Sequence, residues 1–325
     1  MNTYKVLTYS EKHSETWNNF ATQSKNGTFL FHRDFMEYHH DRFEDYSQLV
    51  FEDNELVAIF PANKVGNLIY SHQGLTYGGL VLSNSVKFPT VFNAFKALLA
   101  SLQNDGFETI HLKMIPAIYH TLPSDEISYI LFLLDAQLTR RDALSVIDLK
   151  QPLTVSRDRI AGYKRALKQQ LYVKEVDDFN EFWTKILEVN LQQKHQVKPV
   201  HSLEEITLLK KNFPKNIRQF NVYKDAEIVG GTTIFVTENV AHSQYISANE
   251  DKNTLGTLDF LHHYLITEVF AEKNYFDFGI SNENYGKNIN QGLHYWKEGF
   301  GARTIIQDFY QIKTSNLSNL NNVFI

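Results

Sequence analysis

The chain has 325 residues, 43% of them hydrophobic and 14% aromatic, with a net charge of −5 and no cysteine. That length and apolar content suit two ordinary cores or one large one. The lack of cysteine excludes disulfides, thiolate metal sites and a cysteine nucleophile, and the acidic balance argues against a protein that grips a long nucleic-acid backbone.

In chain order, TYKVLTY (3–9) alternates as a strand does, and HSETWNNFATQS (13–24) has the spacing of a short helix. FHRDFMEYHHDRF (31–43) predicts a second helix with aromatics on one face. YSQLVFEDNELVAIFPANKV (46–65) is two apolar runs split by an acidic turn, a hairpin pattern. NLIYSHQGLTYGGLVLSN (67–84) continues the sheet through several glycines, which in strands mark bulges or close ligands. FPTVFNAFKALLASLQNDG (88–106) is an amphipathic helix ending on Gly106, and FETIHLKMI (107–115) is a strand.

The second half opens with a basic helix, SRDRIAGYKRALKQQ (156–170), capped by Ser156. The strand LYVKEVD follows, then helices at 179–195 and 202–213, the latter opening on a Ser-x-x-Glu capping box. Residues 218–249 read as strands with a turn at Lys224-Asp225-Ala226, 254–274 as one helix, and YFDFGIS (275–281) as a strand. NINQGLHYWKEGFG (288–301) starts a helix that stops at Gly301, and ARTIIQDFYQIK (302–313) is a last strand. The run DNELVA (53–58) is echoed by DAEIVG (225–230), and each leads through strands and a long helix to another strand. That repetition predicts two related domains, 1–150 and 151–325. No signal peptide is apparent, and no apolar run reaches the roughly 20 residues of a membrane span, so the chain reads as soluble and cytoplasmic.

Three places carry chemistry. Asn253, Thr254, Leu255, Gly256 and Thr257 open a helix after a strand, either an anion-binding turn or an ordinary capped connection. The joint KHQVKPVHS (194–202) holds His195 and His201, either proton shuttles or members of a solvated loop. Arg33 and His72 are candidates to line an acceptor site. His39-His40 and His262-His263 do not chelate together, because neighbours on a helix point about 100° apart, and no metal-binding spacing occurs. Neither GxSxG nor GxxxxGK[ST] is present.

In this order the segments TFLFHRDFMEYHHDRF, KHQVKPVHS, YISANEDKNTLGTLDFLHHYL and YFDFGISNENYGKNINQGLHYWKEGFG resemble the GNAT acyltransferase superfamily, and within it the double-domain Fem-type family. The last segment is similar to the family's strand ending in D-F-G followed by a helix with G-L-x-x-[FW]-K-x-x-F-G. The resemblance implies an α/β fold of two tandem GNAT-like domains, each a mixed, mostly antiparallel twisted sheet flanked by helices, with the donor site in the second. It implies an enzyme that moves an acyl group from acyl-CoA to the amine of an amino sugar, sugar nucleotide or amino acid, in cell-envelope or polysaccharide synthesis. It sets Lys297 facing the donor carbonyl or its neighbouring phosphate and places the donor at Asn253–Thr257. For such a reaction His201, His195 and Tyr245 are the candidates for proton transfer, and Arg33, His72, His195, Asp277 and Asn282 the candidates to bind the acceptor. The donor loop keeps only Gly256 of the glycine-rich GNAT signature. Two alternatives stand beside the acyl-CoA reading: an aminoacyl-tRNA donor, as in Fem-type enzymes, and a catalytically silent binding module.

Overall fold

The computed structural model describes residues 2–325, apart from the side chains of Lys194 and His195. Two compact units form: Met1–Asp142 together with Ile306–Ile325, and Ala143–Ile305. The last twenty residues, which the sequence placed at the end of the second half, thus pack within the first unit.

The first unit holds a four-stranded antiparallel sheet in the order Tyr4–Thr8, Gln48–Glu52, Glu55–Phe60, Val81–Leu82. A further set of strands pairs Thr109–Lys113 with the end of Arg303–Lys313 on one side and, in parallel, with Leu68–Tyr70 on the other. The helix Phe88–Asn104 buries Val91, Phe92, Phe95, Leu98, Leu99 and Leu102 in one core with Val50, Phe60, Ile110 and Ile312. Its apolar residues recur every three or four positions, which is why the sequence pattern found it.

The segment 31–43 is not one helix. It breaks into short turns, Phe29–Phe31, Arg33–Met36 and Glu37–His39. Phe29, Leu30, Phe31, Arg33, Phe35, Met36 and His39 are all buried, more directions than a single helix face can bury.

The second unit is a mixed, mostly antiparallel sheet in the order Tyr172–Val176, Ile217–Lys224, Glu227–Val236, Val240–Ala248, Tyr275–Ile280, with residues 144–148 at the end. Only Val240–Ala248 and Tyr275–Ile280 run parallel. The expected caps form: Ser156 Oγ accepts from the Arg159 amide, and Ser202 and Glu205 cap each other reciprocally. The echoed runs sit at matching places. Asp53 and Asp225 each occupy a hairpin tip in the left-handed region, at φ 52° and 49°.

The helix expected over 254–274 is interrupted. It consists of a single turn, Lys252–Leu255, then Thr257–Tyr264, then a wide turn at Leu265–Val269. Gly256 causes the first break. It adopts φ +75°, and a Cβ there would lie 2.1 Å from the Gly162 carbonyl oxygen of helix Arg157–Lys168. Glycine is needed both for the backbone conformation and for the close approach of the two helices.

Candidate active site

The two parallel strands of the second unit pair only from Val240–Tyr275 to His242–Asp277 and then part. Beyond that point is a cavity of about 530 Å3. Its walls include Ser247 at the end of one strand, Lys252 and Asn253 of the following turn, and Leu293 and Trp296 of helix Gln291–Glu298. Asn290 caps that helix, its Oδ1 accepting from the Leu293 amide at 3.0 Å. Asn190, which comes from a helix widened by one turn at Trp183–Leu187, donates to Ser247 Oγ and to the Ala248 carbonyl.

One side of the cavity is an ion pair that the sequence reading missed. Arg159 donates to Asp259 Oδ1 at 2.6 Å, and the Trp296 indole donates to the same oxygen at 3.0 Å. Burial pushes the Asp259 carboxyl up, and Arg159 opposes that shift. Arg159 Nε is buried with no partner among the described residues. Asp259 lies three residues after Gly256, on the turn fixed by the Gly162 contact. That contact between distant helices is what the sequence does not display.

The expected donor segment divides accordingly. Lys252 and Asn253 line the cavity. Arg165 holds the Asn253 carbonyl at 3.2 Å. Thr254 is exposed. Leu255 belongs to the core, and its amide and that of Gly256 are spent on Asp251 and Lys252 carbonyls within the turn. Thr257 is fully buried. The anion-cradling amides expected at Leu255 and Gly256 are therefore used locally.

Lys297 does not face the cavity wall formed by its helix neighbours. It is 2% exposed, and its Nζ donates to the carbonyls of Gly279 and Ile280 at 3.1 and 2.6 Å. Burial lowers its pKa to about 8, and the Asp277 charge partly restores it. Asp277, wholly buried, bonds the Gly279 amide through Oδ1 and meets His242 Nδ1 through Oδ2 at 2.9 Å. A carboxylate on Nδ1 fixes the imidazole tautomer and leaves Nε2 as the acceptor nitrogen. His242 escaped the sequence reading because the parallel pairing that brings it to Asp277 spans 35 residues.

His201 and Tyr245, chosen together from the sequence, do meet. His201 Nδ1 lies 2.6 Å from the Tyr245 hydroxyl, which also accepts from the His201 amide at 3.2 Å. Asn282 is spent structurally, its Oδ1 accepting from the Ala143 amide and its amide nitrogen donating to the Gly286 carbonyl. The side chain of His195 lies outside the described residues.

The two candidates of the first unit are committed to its interior. Arg33 is buried, ion-paired with Glu37 and Asp45, and stacked over Tyr9 at 3.8 Å. His72 is 4% exposed at φ +55°, its ring 5.1 Å from that of His39. Neither has the exposure expected of an acceptor-lining residue.

Parallel strands that part beside a cavity, in a mixed sheet flanked by helices, are the form of a GNAT fold, and residues 156–287 match the acetyltransferase (GNAT) domain family. The chain as a whole has the Fem-like, double-domain form of that fold. It resembles the crystal structure of FemX with a TM-score of 0.67 at 12% identity, over 98% of this chain and 99% of that one. L-PGS from Bacillus licheniformis gives 0.60 at 13% identity, covering 96% of each chain. A tandem GNAT protein from the clavulanic acid biosynthesis pathway gives 0.51 at 12% identity, over 96% of this chain and 99% of that one. Comparison with curated proteins finds no match.

Proposed function

We propose that the chain transfers an acyl group from acyl-CoA, held in the cavity of the second unit, to the amine of a small acceptor such as an amino sugar, sugar nucleotide or amino acid, in a cell-envelope or polysaccharide pathway of the cytoplasm. The observation that carries this reading is the cavity itself. It lies at the end of strand Val240–Ala248, past its pairing with Tyr275–Ile280, and Lys252 stands on its wall to meet phosphate charge, with Arg159 nearby and paired to Asp259. In the reaction the amine nitrogen attacks the thioester carbonyl, forming a C–N bond and an oxyanion. The C–S bond then breaks, the nitrogen gives up its proton to a base, and the thiolate takes a proton as it leaves. Tyr245, with its hydroxyl on His201, is the proton-transfer pair of this proposal, and His242 is a second base held by Asp277; none of the three lines the cavity itself, so the acceptor amine would have to reach them from its edge. Lys297 acts as a positioning residue that ties down the end of the strand at Gly279 and Ile280.

Calorimetry with acetyl-CoA tests the donor. Binding is expected, and Lys252→Glu should weaken it at least tenfold, since it reverses a charge on the cavity wall. A second reading has its own support: the amides of Leu255 and Gly256 are used inside the turn, which favours a donor held differently from the usual CoA pose. An aminoacyl-tRNA donor predicts binding of charged tRNA that falls steeply with salt, and no binding of acetyl-CoA. If neither donor binds, the enzyme reading fails and the silent binding module is the reading left standing.

Lys297→Met separates positioning from direct catalysis. It leaves the buried Gly279 carbonyl and the part-buried Ile280 carbonyl without their donor, at a cost of about 1–3 kcal/mol. The expected result is a lower melting temperature together with a lower kcat. A kcat loss of a hundredfold or more with unchanged melting would instead put the ammonium on the reacting carbonyl.

A further inference from the structure

The first unit carries a cavity of its own, about 200 Å3 in volume. It lies among residues 78–80, 114–117, the first turn of helix Glu126–Leu133 and residues 306–310. This is smaller than the roughly 300–1,000 Å3 of most drug-sized ligand sites, so it admits a single ring rather than a nucleotide. Asn26 builds the wall, its side chain bridging the Leu80 carbonyl and the Leu82 amide at 2.9 and 2.8 Å. Asp308 is held in place by two bonds from Arg141, at 2.6 and 2.7 Å.

The lining chemistry is one-sided. Two carboxylates line the cavity, Asp125 and Asp308, the charge of the latter offset by Arg141, and among the described residues no lysine or arginine lines it. The His120 imidazole, also on the wall, is pushed towards its neutral form by burial. Ser124 lines the cavity while only 5% exposed, and its Oγ is buried without a partner among the described residues. A buried hydroxyl left unpaired costs about 1–3 kcal/mol, which a ligand hydrogen bond would restore. A phosphate or carboxylate ligand would meet the like charge of Asp125 here, whereas an ammonium would be drawn to it.

We propose that this cavity is a second small-molecule site, for a compact ligand that carries an ammonium group beside hydroxyl groups, the chemistry of an amino sugar. The assignment is independent of the donor cavity and stands whichever donor the second unit uses.

The sequence supplies a reporter. The chain has three methionines; among the described residues Met114 lines this cavity, and Met36 is buried elsewhere in the same unit. The full chain, labelled with 13C at its methionine methyl groups, is titrated with D-glucosamine, and the peaks are assigned with Met114→Leu. The Met114 signal should shift saturably while that of Met36 stays. Asp125→Lys, at an exposed position, should weaken the apparent affinity at least tenfold. Ser124→Leu should abolish the shift with the Met36 signal still native. N-acetylglucosamine and glucose 6-phosphate should each bind at least tenfold more weakly than glucosamine. A Met114 signal unmoved by glucosamine, a shift indifferent to Asp125→Lys, or equal binding of glucose 6-phosphate each overturns the proposal.

Discussion

Gly256→Ala is expected to lower the melting temperature of the second unit by about 10 °C. Two costs combine at this position. The backbone sits at φ +75°, which an L-residue occupies at a cost of roughly 1–2 kcal/mol. The new methyl group would also lie 2.1 Å from the Gly162 carbonyl oxygen and 2.8 Å from the carbonyl carbon, both backbone atoms that cannot swing aside. Overpacking of this kind costs roughly 1–3 kcal/mol. Together they approach about 3 kcal/mol, and each kcal/mol moves the midpoint of a domain of this size by about 2–4 °C.

Two other glycines separate the contributions. Gly106 has φ +86° but open space around it, so Gly106→Ala carries the backbone cost alone, about 1 kcal/mol. Gly292 lies in a helix, with its nearest obstacle at 3.9 Å, so Gly292→Ala should be neutral or gain up to about 1 kcal/mol. Thermal melts followed by circular dichroism should rank the variants in that order. If Gly256→Ala melts no lower than Gly106→Ala, the helices are not held together as closely as the Gly162 contact requires. The consequence for the site is direct, because the turn after Gly256 carries Asp259 to Arg159 and Trp296.

The same residue marks where the sequence stopped being legible. Gly256 was singled out from its pattern, but its reason lies in Gly162, almost a hundred residues away in the chain. Elements governed by local chemistry were readable: the hairpin tips at Asp53 and Asp225, the capping box at Ser202 and Glu205, and the 88–104 helix with its apolar stripe. His201 and Tyr245 were also chosen in advance and found within hydrogen-bond reach. What escaped depends on long-range contact. Arg159 reads as one of several cations on a basic helix until Asp259 is placed beside it. His242 reads as an ordinary strand residue until parallel pairing sets it on Asp277. Lys297 was legible as an important lysine, but not its direction, because the carbonyls it holds carry no sequence signal.

Both units should lose stability as the pH falls from about 6.5 to about 4, through histidines that are buried without room for a proton. In the second unit His262 is 0% exposed among aromatic rings, with Trp296 at 5.1 Å and Phe278 at 5.2 Å. Its Nδ1 donates to the Leu258 carbonyl, and its Nε2 is buried with no partner among the described residues. Burial lowers its pKa to about 4, and the Lys297 charge adds to the shift. In the first unit burial likewise lowers His39 to about 4, with Arg42 adding to the shift, and takes His72 well below its usual value. Above the ordinary value of 6.5 each imidazole is neutral in both states and contributes nothing to the pH dependence. Below it the unfolded chain takes up protons that the folded chain refuses, so stability falls until the folded pKa is passed, and the loss is then complete. For His262 or His39 the gap between 6.5 and about 4, at about 1.4 kcal/mol per pH unit, amounts to about 3.5 kcal/mol. Urea unfolding across this range should show the midpoint falling with pH in the wild type. His262→Phe keeps a ring in the aromatic cluster and removes the titration, so it should flatten the pH dependence of the second unit. His39→Phe should do the same for part of that of the first. An unchanged slope in the double variant would mean that carboxylate protonation, and not these imidazoles, drives the acid lability.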